Sequence, residues 1–225
     1  MGKKILYIIP ARGGSKGIPY KNIKLLVGKP LIYYSIDVAR KLTTDENICV
    51  STDDIKIIKL VESYGLKVPF MRPAYLATDE ATTNDVLLHA IDFYEKKGIN
   101  YDIIVLLQPT SPLREASQVK EALKQYTDDL DMVVSVKESH AAAVICQENE
   151  DGFVELSLNK TGEQRQKVNT YYEYNGAIYV INIERLKEKS LSGFTRKKKY
   201  VMDEKFSLDI DQINDFYLAE FYLKE

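Results

Sequence analysis

The chain has 225 residues, 45% of them hydrophobic, with 31 lysines and arginines against 33 aspartates and glutamates. That length and apolar content suit one sizeable α/β domain with a real core. The net charge of −2 excludes a general nucleic-acid binder, which needs a basic surplus, so any anion site must be a local cluster.

The opening "MGKKILYIIPAR" breaks its apolar run at Pro10 and Arg12, too early for a signal peptide or a span of about 20 residues. "KKILYII" reads as a buried strand. "PLIYYSIDVARKL" opens on Pro30 with helical apolar spacing. "NICVS" is a second strand, and "DDIKIIKLVESYG" a helix with Asp53 as N-cap and Gly65 as stop. "LKVPF" reads as a third short strand and "TTNDVLLHAIDFYEKKG" as an amphipathic helix. "DIIVLLQP", "EASQVKEALKQY" and "DMVVSVKE" continue as strand, helix and strand. This alternation predicts a parallel sheet covered on both faces. Near Ser139 it breaks. "AAAVICQ", "NEDG" and "FVELSL" read as a hairpin, so residues 139–172 are expected to form an inserted flap within a domain spanning residues 1–225. "NGAIYVINIERL" resumes strand and helix, and "DQINDFYLAEFYL" closes the chain as a helix.

Three predicted strands end in polar segments: "PARGGSKGIPYKN", "STDD" and "QPTSPLR". In a parallel sheet, ligands bind beyond the carboxyl ends of the strands, so the fold would gather these distant segments. Glycine lets backbone N–H groups turn toward an anion, and Arg12, Lys16 and Lys21 add charge suited to a polyphosphate. The spacing fits neither a Walker A loop nor GxGxxG, which also argues against a nicotinamide dehydrogenase. A glycine-rich turn with solvated cations is the plain alternative. In "FSLDID", extended backbone would point Asp209 and Asp211 to one face. Paired carboxylates suit Mg²⁺, which takes one or two of them plus phosphate oxygens. Alternatively, Asp211 simply caps the last helix.

Taken in order, "IIPARGGSKGIPYKN", "STDD", "RPAYLATDEATT", "LLQPTSPLR", "NGAIYV" and "SLDID" resemble the motifs of the N-acylneuraminate cytidylyltransferases, the CMP-sialic acid synthetases. The resemblance covers nearly the whole chain. It implies a three-layer, Rossmann-like nucleotidyltransferase fold with a mostly parallel sheet and a small dimerisation flap. It implies transfer of CMP from CTP to a sialic-acid-like nonulosonic acid, with Mg²⁺ and in a homodimer. Related enzymes act on legionaminic and pseudaminic acids, and the 3-deoxy-manno-octulosonate cytidylyltransferases share the fold. By resemblance, Arg12, Gly13, Gly14, Ser15, Lys16 and Lys21 would hold the triphosphate. Asn22, Arg72, Ala81 and Thr83 would meet cytosine and ribose. Gln108, Ser111, Arg165, Tyr179 and Phe194 would line the sugar site, and Asp209 and Asp211 would hold the metal. Arg12, Lys21 and Asp211 are the catalytic candidates, Asp211 being nearest to a general base. A non-catalytic nucleotide-sugar binder is the alternative of another class, though such a protein would not need both carboxylates.

Other residues carry plainer expectations. Arg114 should brace its loop through backbone carbonyls, His89 should pack, and His140 should be exposed. "RKKK", Arg196 to Lys199, reads as a solvated loop. "TYYEY" would pack the flap on a partner chain. Ala141 to Ala143, Lys167-Val168 and Glu173 depart from the family pattern, which leaves the particular acid open. Cys49 and Cys146 are isolated, with no zinc or disulfide pattern, and fit a reducing cytoplasm. The expectation is a soluble cytoplasmic protein with no membrane or nucleic-acid partner.

Overall fold

A computed structural model describes residues 2–14, 17–139, 145–148, 150–156 and 170–225. The first strand, β1 (Ile5–Pro10), leads into two short strands, β2 (Leu25–Leu26) and β3 (Lys29–Pro30), and then helix α1 (Leu31–Arg40). There follow β4 (Ile48–Ser51), α2 (Ile55–Ser63), α3 (Thr83–Glu95), β5 (Ile103–Leu106), α4 (Ala116–Lys124) and β6 (Met132–Ser139). The remainder is β7 (Cys146–Glu148), β8 (Val154–Leu156), β9 (Tyr171–Asn182), α5 (Ile183–Glu188), β10 (Lys197–Val201) and α6 (Ile213–Lys224).

The central sheet has six strands in the order β10-β6-β9-β5-β1-β4. Only β9 runs antiparallel to its neighbours, β5 and β6. Alternate residues of β1 bury to opposite faces: Tyr7 and Ile9 meet α1 and α2, while Leu6 and Ile8 meet α3. Helices α1, α2 and α4 cover one face, and α3 and α5 the other. This is the expected three-layer architecture. Helix α6 packs on β2 through Phe216, Ala219 and Leu26, in a third small core with Ile18 and Ile210.

The structure corrects three local expectations. Asp54, not Asp53, caps α2, its carboxylate accepting from Lys56 N and Ile57 N. "LKVPF" forms no strand; a single parallel bridge joins Thr52 and Met71 there. Pro69 has no N–H to offer a ladder. The basic run is edge strand β10, paired in parallel with β6 from Lys197↔Met132 to Val201↔Val136. Its lysine side chains face water, a common dressing of sheet edges. That exposure disguised the backbone pairing.

The segment expected as a flap leaves and rejoins the sheet at one rung, Ser139↔Tyr171. Within it β7 and β8 form an antiparallel hairpin, Cys146↔Leu156 to Glu148↔Val154. His140, Ala141 to Ala143 and Lys167-Val168 lie outside the described residues. Of "TYYEY", residues 171–174 extend β9, with Tyr172 and Tyr174 exposed.

Candidate active site

Strands β1, β4 and β5 run parallel, so their carboxyl ends share one edge. The loop after β1 is anchored at its start, where Ala11 N donates to Ser51 O at 2.9 Å. Gly13 N donates to Asp53 Oδ1 at 3.1 Å. A Cβ on Gly13 would come within 2.5 Å of Asp54 Oδ2, so the two aspartates of "STDD" pack against bare backbone. Asn22 is buried, and its Nδ2 donates to Arg12 O at 3.0 Å. The Arg12 side chain is partly exposed, and its Nη1 donates to Asp79 Oδ1 at 3.0 Å.

The carboxy-terminal acidic segment reaches this loop. Lys21 Nζ donates to Ile210 O at 2.6 Å and to Asp211 Oδ1 at 3.3 Å. A Cβ on Gly17 would lie 2.4 Å from Asp211 O, so the approach requires glycine there. Ile210 is fully buried between Asp209, which is half-buried, and Asp211, whose side chain is exposed. Asp211 does not cap α6. Gln212 and Asp215 form a capping box instead, which leaves the Asp211 side chain to Lys21.

Asp209 is half-buried, and its Oδ1 has no hydrogen-bond partner. Burial pushes its carboxyl above the usual carboxylate range, and the charge of Asp211 adds to this against Thr110 and Lys21. Burial, reinforced by Asp209, also pushes the Tyr179 phenol up to about 12. Among the described residues, no group of three or more His, Cys, Asp or Glu could enclose a metal by itself. An orphaned carboxylate oxygen beside a second carboxylate fits a hard cation whose remaining ligands come from phosphate and water.

A cavity of about 370 Å³ lies at this edge, lined by Arg12, Gly17, Lys21, Asn22, Arg72, Ala81, Thr83, Gln108 and Asp211 among others. A second, of about 350 Å³, shares Thr83 and Gln108 with it. This one is more apolar, with Met132, Tyr174, Tyr179, Leu191, Ser192 and Lys197 in its wall.

The candidates thus divide. Arg12, Lys21, Asn22, Arg72, Ala81, Thr83, Gln108 and Asp211 meet in the first cavity, while Tyr179 lines the second. Arg72 is buried, with its guanidinium donating to Ser51 O at 2.6 Å and Leu76 O at 3.2 Å. Ser111 is fully buried, with an unpartnered Oγ, and lines neither cavity. Phe194 is not in a cavity wall either; it is packed in the core beneath α3 and α5. Gly14 has open space around its Cα. Ser15, Lys16 and Arg165 lie outside the described residues.

Arg114 has the bracing role expected of it, donating to Gln108 O, Ala177 O and Ser35 Oγ from a buried position. His89 packs edge-on against Phe70, and burial lowers its pKa. Both cysteines are free, Cys49 buried and Cys146 exposed. Glu173 pairs with Lys137 at 3.6 Å. The sequence reading missed Asp53 as a loop partner, Asp79 as the partner of Arg12, and Tyr174 and Lys197 in the second cavity. "STDD" gave a signal for Asp53. The others depend on long-range packing or on an unrecognised edge strand.

A glycine-rich cationic loop at the carboxyl edge of a parallel sheet, tied by Lys21 to an acidic segment, marks an α/β protein of the nucleotidyltransferase class. The chain matches the model of the cytidylyltransferase family over residues 6–225, and it belongs to that family. It is 38% identical to the N-acylneuraminate cytidylyltransferase of Escherichia coli O18:K1:H7, a match covering 97% of this chain and 52% of that protein. The chain therefore spans about half the length of that relative. It is 34% identical to the CMP-N,N'-diacetyllegionaminic acid synthase of Legionella pneumophila, covering 96% of this chain and 95% of that protein. A solved CMP:2-keto-3-deoxy-manno-octonic acid synthetase complexed with CTP has the same fold, with a TM-score of 0.73 at 20% identity and 98% coverage of both chains.

Proposed function

We propose that the protein transfers the cytidylyl group of CTP to the anomeric hydroxyl of a sialic-acid-like nonulosonic acid, releasing pyrophosphate, with Mg²⁺ required. The observation that carries this reading is the Lys21 contact with Ile210 and Asp211, which closes the cationic loop onto the acidic segment in one cavity. Family membership and the names of the relatives support it.

In this reading the first cavity takes the nucleotide and the second the sugar. Thr83 and Gln108 stand at the junction where the two would react. The sugar oxygen forms a bond to the α-phosphorus as the bridge to the β-phosphate breaks, and the hydroxyl proton leaves through solvent toward Asp211. Arg12 and Lys21 stabilise the charge gathering on pyrophosphate. Ser15, Lys16 and the glycine backbone complete the triphosphate cradle. Asp209 and Asp211 would hold Mg²⁺, which would supply neutralisation of charge on the phosphate oxygens. Positioning supplies most of the remaining acceleration.

The test is pyrophosphate release from CTP and Mg²⁺ across a panel of nonulosonic acids. Release with N-acetylneuraminic acid is the expected result. CTP binding without release on any acid would establish a non-catalytic binder, and equal use of UTP would remove the cytidine assignment. Legionaminic acid is the second reading, favoured by the nearly full-length match to the Legionella protein. We further propose a cytoplasmic homodimer in which residues 139–172 reach the neighbour and Arg165 serves its sugar site. A fully active monomer by light scattering would exclude that arrangement.

A further inference from the structure

Behind the two cavities lies a buried hydrogen-bond chain that the proposed chemistry does not use. Strand β9 is irregular where it passes β6. Val134 pairs with Tyr179, but Val136 pairs with Tyr174, so four residues of β9 stand opposite Ser135 alone. Side chains close this gap. Ser135 Oγ accepts from Ile178 N at 2.7 Å and donates to Asn175 Oδ1 at 2.5 Å. Asn175 Oδ1 also accepts from Ala177 N at 3.2 Å. On its far side Asn175 Nδ2 donates to Ser207 Oγ at 2.9 Å, and Ser207 Oγ donates to Asp203 O at 2.9 Å. All three side chains are buried, and each polar atom has a partner. Asp209 Oδ1, nearby, has none.

The chain ends against the site on both sides. The bulge puts Gly176 in the left-handed region at φ 72°, where a Cβ would meet Gln108 Oε1 at 3.0 Å and Asp209 Oδ2 at 3.4 Å. Ser207 begins the segment that carries Asp209. Its downstream end is tied separately, by Ile210 N donating to Thr110 O at 2.8 Å and by Lys21. Asp209 is therefore suspended between two anchors, one of them the Asn175–Ser207 bond. A satisfied buried network has one geometry and holds what it carries. Bulges next to active sites commonly re-aim side chains in this way.

We propose that Ser207 is a positioning residue for Asp209, set by Asn175 and through it by Ser135, and that this network tunes how the site receives a divalent cation. The inference rests on the reading of Asp209 as a metal ligand. It is tested by titrating Mg²⁺ calorimetrically into protein saturated with CTP. Ser207→Ala should weaken cation binding about tenfold, the low end of what loss of outer-shell support costs. CTP binding without divalent cation should stay within about twofold, because the cationic loop is untouched. Ser207→Thr keeps the hydroxyl and should recover most of the affinity. Ser207→Cys, nearly the same size but a weak hydrogen-bonder, gives the same measurement should the alanine variant fail to fold. Wild-type cation affinity in variants that only melt earlier would overturn the proposal and make the network purely structural. Absence of cation binding in the wild-type protein would instead overturn the assignment of Asp209.

Discussion

Lys21 fixes the backbone of the acidic segment through Ile210 O and reaches the Asp211 carboxylate with the same ammonium group. Its side chain is only 13% exposed, whereas that of Asp211 is 75% exposed, so the contact with Asp211 is the one a phosphate oxygen can replace. Lys21→Met should therefore lower kcat/KM for CTP about 100-fold, the scale of losing one preorganised donor to developing charge. Steady-state kinetics checks this; a loss below about fivefold would leave Lys21 outside the chemistry. Asp209 gives a prediction with a definite sign. Its folded-state pKa lies above the unfolded one because of burial. Ionising it therefore costs stability as pH rises between those two values, the reverse of a paired carboxylate. In the absence of cation, Asp209→Asn should raise the melting temperature at neutral pH while abolishing cation dependence. Cation affinity should fall with acidification from above the ordinary carboxylate value of about 4, because protons compete for Asp209. Calorimetric titrations across that range would show it, and a pH-independent affinity would refute it.

Among the elements, β5 and β9 do most to join the cavities to the core. The loop after β5 presents Gln108, and Arg114 ties that loop to β9 by donating to Ala177 O at 2.7 Å. Arg114→Met would remove the guanidinium donor from the buried Ala177 carbonyl and from Ser35 Oγ, and one of several donors from Gln108 O, and should cost about 2–4 kcal/mol of stability in denaturant melts. Near-wild-type stability would mean that the loop is held by other contacts. Gly176→Ala should lower both stability, because its φ of 72° strains an alanine, and turnover in steady-state assays, because its Cβ presses on Gln108 and Asp209. The helices and buried strands were legible because their apolar spacing is set by the core they cover. Residues 197–201 were not, because an edge strand pairs through its backbone while its lysines look like a solvated loop. The bulge in β9 was equally hidden, because "NGAIYV" reads as plain strand until its partner is known.

At the scale of the whole molecule, the fold brings residues 12–14, 17–22, 51–54, 108–114 and 209–211 to one edge. Their convergence followed from parallel topology together with polar strand ends, so the first cavity was largely legible. Ser111 and Phe194 are buried outside both cavity walls, which motif position does not announce, since burial depends on neighbours distant in sequence. Tyr174 and Lys197 entered the second cavity through strand pairings that no local pattern announces. The most direct test is a crystal structure with CTP and Mn²⁺, the ion located by its anomalous signal. The triphosphate should lie between Arg12 and Lys21, with manganese bound by Asp209 and Asp211. Nucleotide density away from this cleft, or manganese bound without either aspartate, would contradict the account.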